Sequence, residues 1–291
     1  MPSRKIFVPV VPTQQWKNQV CALAETNTGE VWIASGTGKL VCVGADDEVR
    51  SELALDGGIV SLAGAPDGSL WVGAESRVHH VQGGRVETFD VDAGIPRGAV
   101  RDLLPDADGG VWIATYGGGL GHLAKGRARK FSRDAGLPDN SLSRILDDGN
   151  GRLWILSNLG LIVLERAELD EALAGRRTRL EPVVVGPEAG VDEASFGAPA
   201  GFRDSAGRLW FSTIGGAVRI DPAEFPANRT APTPRFERVH ADERALPLEP
   251  VVTIPAGAQR IVFDYTTCAL VAPERVRFRY RLAGFDDTWN D

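Results

Sequence analysis

The chain has 291 residues, of which 43% are hydrophobic and 24% charged, with a formal net charge of −7 at pH 7. That composition suffices for one large or two ordinary cored domains and excludes global disorder. Acidic and basic residues are interspersed, so neither a nucleic-acid groove nor a polybasic membrane patch is expected.

The 34 glycines and 18 prolines fall between short apolar runs with no collagen-like period, which predicts many turns and many short strands. Cys21, Cys42 and Cys268 are too few and too irregularly spaced for a disulfide framework or a zinc site. No cofactor or metal is expected.

Residues 1–17 read as a lead-in. Its apolar run from Ile6 to Val11 is too short to cross a bilayer or to form a signal-peptide core, so any membrane contact would come from flanking segments.

From residue 18 the text repeats. Asn27-Thr-Gly-Glu-Val-Trp32-Ile, Pro66-Asp-Gly-Ser-Leu-Trp71-Val, Asp108-Gly-Gly-Val-Trp112-Ile, Asn150-Gly-Arg-Leu-Trp154-Ile and Ala206-Gly-Arg-Leu-Trp210-Phe are successive copies, spaced 39, 41, 42 and 56 residues apart. A period near 40 with glycine-containing turns fits one four-stranded propeller blade per copy.

Helical repeats of that length would need apolar positions every 3.6 residues over ten or more residues. Val20-Cys-Ala-Leu-Ala, Val100-Arg-Asp-Leu-Leu and Leu142-Ser-Arg-Ile-Leu are instead short runs soon followed by Asp, Asn or Gly, and each reads as the inner strand of a blade. The Asp/Asn-Gly turn then leads into the Trp-bearing second strand. Third strands follow, such as Leu40-Val-Cys-Val and Leu161-Ile-Val-Leu.

A repeated Trp on a central strand reads as packing between blades. Burying one removes about 150–250 Å² from water, at most about 4–6 kcal/mol. The Asp147-Asp-Gly-Asn-Gly151 turn lacks a glutamate at the twelfth position of a calcium loop and reads as turn chemistry.

Residues 165–197 enlarge the last interval. Ala167-Glu-Leu-Asp-Glu-Ala-Leu-Ala174 before Gly175 predicts a short helix with a glycine stop. The repeats end near residue 222, and 223–234 is a proline-rich linker. Strands are then predicted at Arg235-Phe-Glu-Arg-Val, Arg260-Ile-Val-Phe-Asp-Tyr265 and Val276–Leu282.

The connector Ala135-Gly-Leu-Pro-Asp-Asn140-Ser-Leu before Gly151-Arg-Leu-Trp154-Ile resembles the repeat of the two-component regulator propeller family. So does Ala93-Gly-Ile-Pro-Arg97 before Val111-Trp-Ile-Ala-Thr115-Tyr-Gly-Gly-Gly-Leu120. Phe278-Arg-Tyr-Arg-Leu-Ala-Gly-Phe-Asp-Asp-Thr-Trp289 resembles the start of the triple-tyrosine domain that adjoins such propellers.

The resemblance implies an all-β chain: about five four-stranded blades over 18–222, then a truncated immunoglobulin-like β-sandwich over 235–291. It implies an extracytoplasmic, periplasmic sensor region joined through a membrane helix to a histidine kinase or to another output such as a diguanylate cyclase. A ring of about seven blades is usual there, so the chain reads as a segment of a longer protein that exposes strand edges and a blade face. Homodimerisation through the sandwich is a further expectation.

The histidines suggest no catalysis. His79, His80 and His122 lie in or beside third strands, and on the predicted strand Glu237 and His240 project to opposite faces. No catalytic residue is nominated. A lyase-like propeller enzyme and a protein-interaction scaffold are the rival classes.

The binding expectation rests on propeller geometry. The connector into each inner strand and the loop between second and third strands open on one face, where ligands sit. That places Arg77, Arg97, Tyr116, Asn140 and Asn158 near one rim, able to hydrogen-bond and stack on a small polar ligand or oligosaccharide.

Overall fold

A computed structural model describes residues 20–194, 200–225, 233–249, 251–267, 276, 278–286 and 288–290. The lead-in at 1–17, Cys268 and most of the 223–234 linker lie outside the described residues. The chain divides into two compact units, Met1–Phe225 and Pro226–Asp291.

The first unit is a succession of antiparallel meanders. Blade 1 comprises β1 (Val20–Glu25), β2 (Val31–Ser35), β3 (Lys39–Val43) and β4 (Val49–Ala54). Blade 2 comprises β5 (Ser61–Gly64), β6 (Leu70–Ala74), β7 (Arg77–Gln82) and β8 (Arg85–Phe89). In blade 3 the strands are β9 (Ala99–Pro105), β10 (Val111–Tyr116), β11 (Gly119–Ala124) and β12 (Arg127–Phe131). Blade 4 is built from β13 (Leu142–Asp147), β14 (Arg152–Ser157), β15 (Gly160–Glu165) and β16 (Val183–Val185), and blade 5 from β17 (Gly201–Arg203), β18 (Leu209–Thr213) and β19 (Gly216–Ile220).

The expectation of five four-stranded copies therefore holds for four of them. Among the described residues the fifth has three strands.

Alternation along each strand gives every blade two faces. One, here called trailing, carries the Trp. The other, the leading face, carries the residues on either side of it.

Trp71 packs with Leu103, Val111, Ile113 and Leu123 of blade 3, and Trp112 packs with Ile145, Leu153, Ile155 and Leu164 of blade 4. Trp32 and Trp154 repeat the arrangement against blades 2 and 5. The trailing face of each blade thus covers the leading face of the next, and the core is a series of inter-blade layers.

Polar turns hold the Trp strands in register. Asp148 Oδ1 accepts the amides of Asn150 (2.7 Å) and Arg152 (3.1 Å), while its Oδ2 accepts the Trp154 indole N–H at 3.2 Å. The acidic turn at 147–151 is therefore turn chemistry, with an added bond to the Trp.

The same bond joins Trp112 to Asp106 (3.2 Å) and Trp210 to Asp204 (3.0 Å). At Asp204 the Trp210 indole and the Arg208 amide and guanidinium outweigh desolvation and hold the carboxyl down at about 2. Burial pushes Asp106 up, but hydrogen bonds from His122 (2.7 Å) and Arg166 (2.8 Å) hold it below its ordinary value.

The predicted short helix is α1 (Arg166–Leu173), inserted between β15 and β16. It clasps two blades. Leu169 and Ala172 enter the layer between blades 3 and 4, Arg166 reaches Asp106 and Asp147, and Arg129 of β12 donates to the Leu173 carbonyl at 3.1 Å.

In the second unit β20 (Pro234–Ala241) pairs on one side with β21 (Arg244–Leu246) and on the other with β22 (Ile261–Thr267), all antiparallel. Two of the three predicted strands are thus present. Of the third, Arg277 lies outside the described residues; among those described, Tyr280 makes an isolated bridge to Asn290, and a turn at Leu282–Phe285 follows, with Asp286 Oδ2 accepting the Leu282 amide. Alternation in 276–282 favours a strand, but among the described residues one bridge, and no ladder, holds it.

Candidate ligand-binding rim

The residues four places after each Trp, namely Gly36, Glu75, Tyr116, Asn158 and Ile214, end or follow the second strands at the turn into the third. Register therefore delivers one variable position per blade to the same rim, with a side chain in every blade but the first.

Backbone contacts stitch that rim together. Ser76 donates its amide to the Gly98 carbonyl and accepts the Gly98 amide at Oγ, both at 2.9 Å. The Asn140 carbonyl accepts the amides of Gly117 and Gly119 at 2.9 Å, and Tyr116 bridges Ser141. Between blades 4 and 5 the Ala194 amide reaches the Ser157 carbonyl at 3.1 Å.

Two glycines make the close approach possible. A Cβ on Gly118 would lie 2.0 Å from the Arg97 carbonyl oxygen, and one on Gly98, at φ +113°, would lie 2.2 Å from that of Tyr116. The connector carrying Arg97 and the turn carrying Tyr116 are thus pressed backbone to backbone.

Arg97, Tyr116 and Asn140 come together at this seam. Arg97 is exposed, and Tyr116 is 43% exposed. Asn140 is committed to the scaffold instead, its Oδ1 accepting the Arg133 amide at 3.0 Å. Asn158 joins the same connector, its backbone amide donating to Asp139 Oδ2 at 3.1 Å. Arg77 stands apart: its guanidinium reaches the Asp56 carbonyl at 3.4 Å, toward blade 1.

Two rim residues were not singled out from sequence. The Arg101 guanidinium carbon lies 6.0 Å from the Tyr116 ring centroid, and Glu75, exposed, bridges Ala99 beside Arg97. Glu75 occupies the position equivalent to Tyr116, so repeat alignment would have found it.

Below the rim, Asp102 is buried. Its carboxylate accepts Arg144 Nη1 and the Ile145 amide of blade 4, each at 2.7 Å, and desolvation raises its pKa against the pull of Arg144. Ser61, at the equivalent position of blade 2, donates to the Val100 carbonyl of blade 3 at 2.7 Å. These bonds lock neighbouring inner strands. Among the described residues no three His, Cys, Asp or Glu side chains converge as a metal site would require.

Successive antiparallel blades with a recurrent Trp layer define a propeller-type repeat protein. Residues 94–117 match the family model of the two component regulator propeller, so the chain carries a repeat of that family at the stretch that holds both Arg97 and Tyr116.

The chain is similar in fold to the extracellular domain of the putative hybrid two component system BT3049 from B. thetaiotaomicron, at 16% identity and a TM-score of 0.62. That likeness covers 94% of this chain and 38% of the other. The extracellular domain of the putative one component system BT4673 from the same organism is similar at 18% identity and a TM-score of 0.53, over 70% of this chain and 30% of its own.

Catalytically inactive virginiamycin B lyase from Staphylococcus aureus with Quinupristin is similar at 15% identity and a TM-score of 0.52, over 69% of each chain. The chain thus spans well under half of the BT3049 and BT4673 domains. No curated protein matches the sequence.

Proposed function

We propose that this chain is the ligand-receiving part of an extracytoplasmic sensor of the two-component type, and that it binds rather than converts a small polar molecule or oligosaccharide. The family repeat at 94–117 and the likeness to two sensor extracellular domains support the sensor reading. No helix among the described residues is long and apolar enough to cross a membrane. The reading has a histidine kinase, or another output module, beyond this segment.

The observation that carries the binding reading is the seam in blade 3 where the connector entering β9 meets the turn between β10 and β11. There an exposed guanidinium and a half-exposed phenol stand on backbone that the Gly98 and Gly118 contacts fix in place. A sugar ring can stack on Tyr116 while Arg97 and Arg101 donate to its oxygens, and a site that is already ordered loses little entropy on binding.

The test is calorimetric titration of the chain with a panel of oligosaccharides, repeated on Arg97→Ala/Tyr116→Ala. The double variant is expected to lose about 2–4 kcal/mol, roughly 30- to 1,000-fold in affinity, with an unchanged thermal melt. Undiminished binding with a normal melt would move the site elsewhere.

A further inference from the structure

The first strand of a blade carries the same irregularity three times. The pairing of β1 with β2 skips Cys21, that of β9 with β10 skips Arg101, and that of β13 with β14 skips Ser143. Each skipped residue stands eleven places before its Trp, where blade 2 has Val60. Such a bulge leaves one residue out of the ladder and re-aims its side chain. Of these four blades, only blade 3 puts a charge there.

That charge lacks a counter-ion. Arg101 is half-buried with its guanidinium carbon 6.0 Å from the Tyr116 ring centroid, and Arg97 stands two residues before Ala99, which pairs with Tyr116. The neighbouring arginines are paired, Arg144 with Asp102 at 2.7 Å and Arg133 with Asp139 at 3.4 Å, whereas neither Arg97 nor Arg101 has an ion-pair partner among the described residues. Asp102 and Asp139 are themselves committed, each with both carboxylate oxygens accepting from backbone amides or guanidinium groups. Glu75 of blade 2, exposed and bridging Ala99, brings one carboxylate to the seam and forms no ion pair there among the described residues.

Resting on the reading of this rim as a saccharide site, we propose that it selects an acidic sugar, a uronate whose carboxylate is taken by Arg101 and Arg97 while its ring lies on Tyr116. A guanidinium that no protein carboxylate neutralises gains more from a ligand carboxylate than from a hydroxyl, because charge-assisted bonds are the stronger and can form in pairs. Glu75 opposes by like charge a second anionic group placed toward blade 2. The preference is therefore for one carboxylate at Arg101 rather than for dense negative charge.

The experiment is calorimetric titration with short oligomers of galacturonate, mannuronate and glucuronate, each beside its carboxyl-reduced form, in which the acid has become an alcohol on the same ring. At least one acid is expected to bind about tenfold or more tightly than its reduced partner. Arg101→Gln is expected to bring that ratio close to one while the reduced form binds as before, and Arg101→Lys to restore part of it. Glu75→Gln is expected to raise the ratio about twofold, the scale of one exposed like charge. A thermal melt accompanies each variant, and Arg97→Gln, on the exposed connector, takes the place of Arg101→Gln should the latter unfold.

Reduced forms that bind as tightly as their acids would overturn the proposal, as would an undiminished ratio in folded Arg101→Gln or the absence of binding by all three acids. None of these results touches the saccharide reading of the rim. That reading falls separately, if Arg97→Ala/Tyr116→Ala leaves the binding of every oligosaccharide undiminished.

Discussion

Blades 1 and 2 and blades 3 to 5 hold the same Trp by different means, and it is buried in all but blade 5, where it is half-buried. In the later blades an Asp six residues earlier accepts the indole N–H: Asp106, Asp148 and Asp204. In the earlier blades that position is Thr26 or Ala65. Trp32 is buried with its N–H lacking a partner, whereas Trp71 stacks on His80 at 4.2 Å. Apolar burial against the next blade is therefore sufficient to build the layer, and the Asp–Trp bond is an added polar lock.

The comparison makes the largest effect a matter of apolar volume. Replacing Trp112, fully buried between blades 3 and 4, by Ala is expected to cost about 3–5 kcal/mol in a denaturant unfolding series. An unchanged midpoint would contradict the role of the Trp layer in either group of blades.

The smaller effect isolates the lock. Trp154→Phe removes the donor and leaves Asp148 Oδ2 buried without it, whereas Trp32→Phe removes a donor that had no partner. The first should cost about 1–3 kcal/mol more than the second, which is expected near neutral. Equal costs would mean that the Asp adds nothing to the ring.

Most of the first unit was legible because its signals are local. Trp spacing marked the central strands, Asp/Asn-Gly marked the hairpins, and the apolar runs marked the inner strands. The Asp–Trp bond was open to the same reading, since Asp106, Asp148 and Asp204 stand at one offset from Trp112, Trp154 and Trp210.

What escaped depends on partners distant in sequence. β16 is a fourth strand that arrives only after α1, so its pairing with β15 has no local mark. Blade 5 reads like its predecessors at the Trp yet has three strands among the described residues. Residues 278–282 alternate as a strand does, but among the described residues their pairing is a single bridge from Tyr280 to Asn290.

At the rim, sequence placed Arg97, Tyr116 and Asn140 together. It did not reveal that the Asn140 side-chain oxygen accepts the Arg133 backbone amide, because that depends on how the connector folds back. Nor did it bring Arg101 under Tyr116.

The binding account is tested most directly at Tyr116, one of three tyrosines in the chain. With 3-fluorotyrosine incorporated, the 19F spectrum gives one signal per tyrosine, and Tyr116→Phe assigns the one of interest. On titration with the oligosaccharide that binds tightest by calorimetry, the account predicts that the Tyr116 signal moves along the same isotherm while those of Tyr265 and Tyr280 stay in place. A calorimetric isotherm with Tyr116 unmoved, and either of the other two shifting, would contradict it.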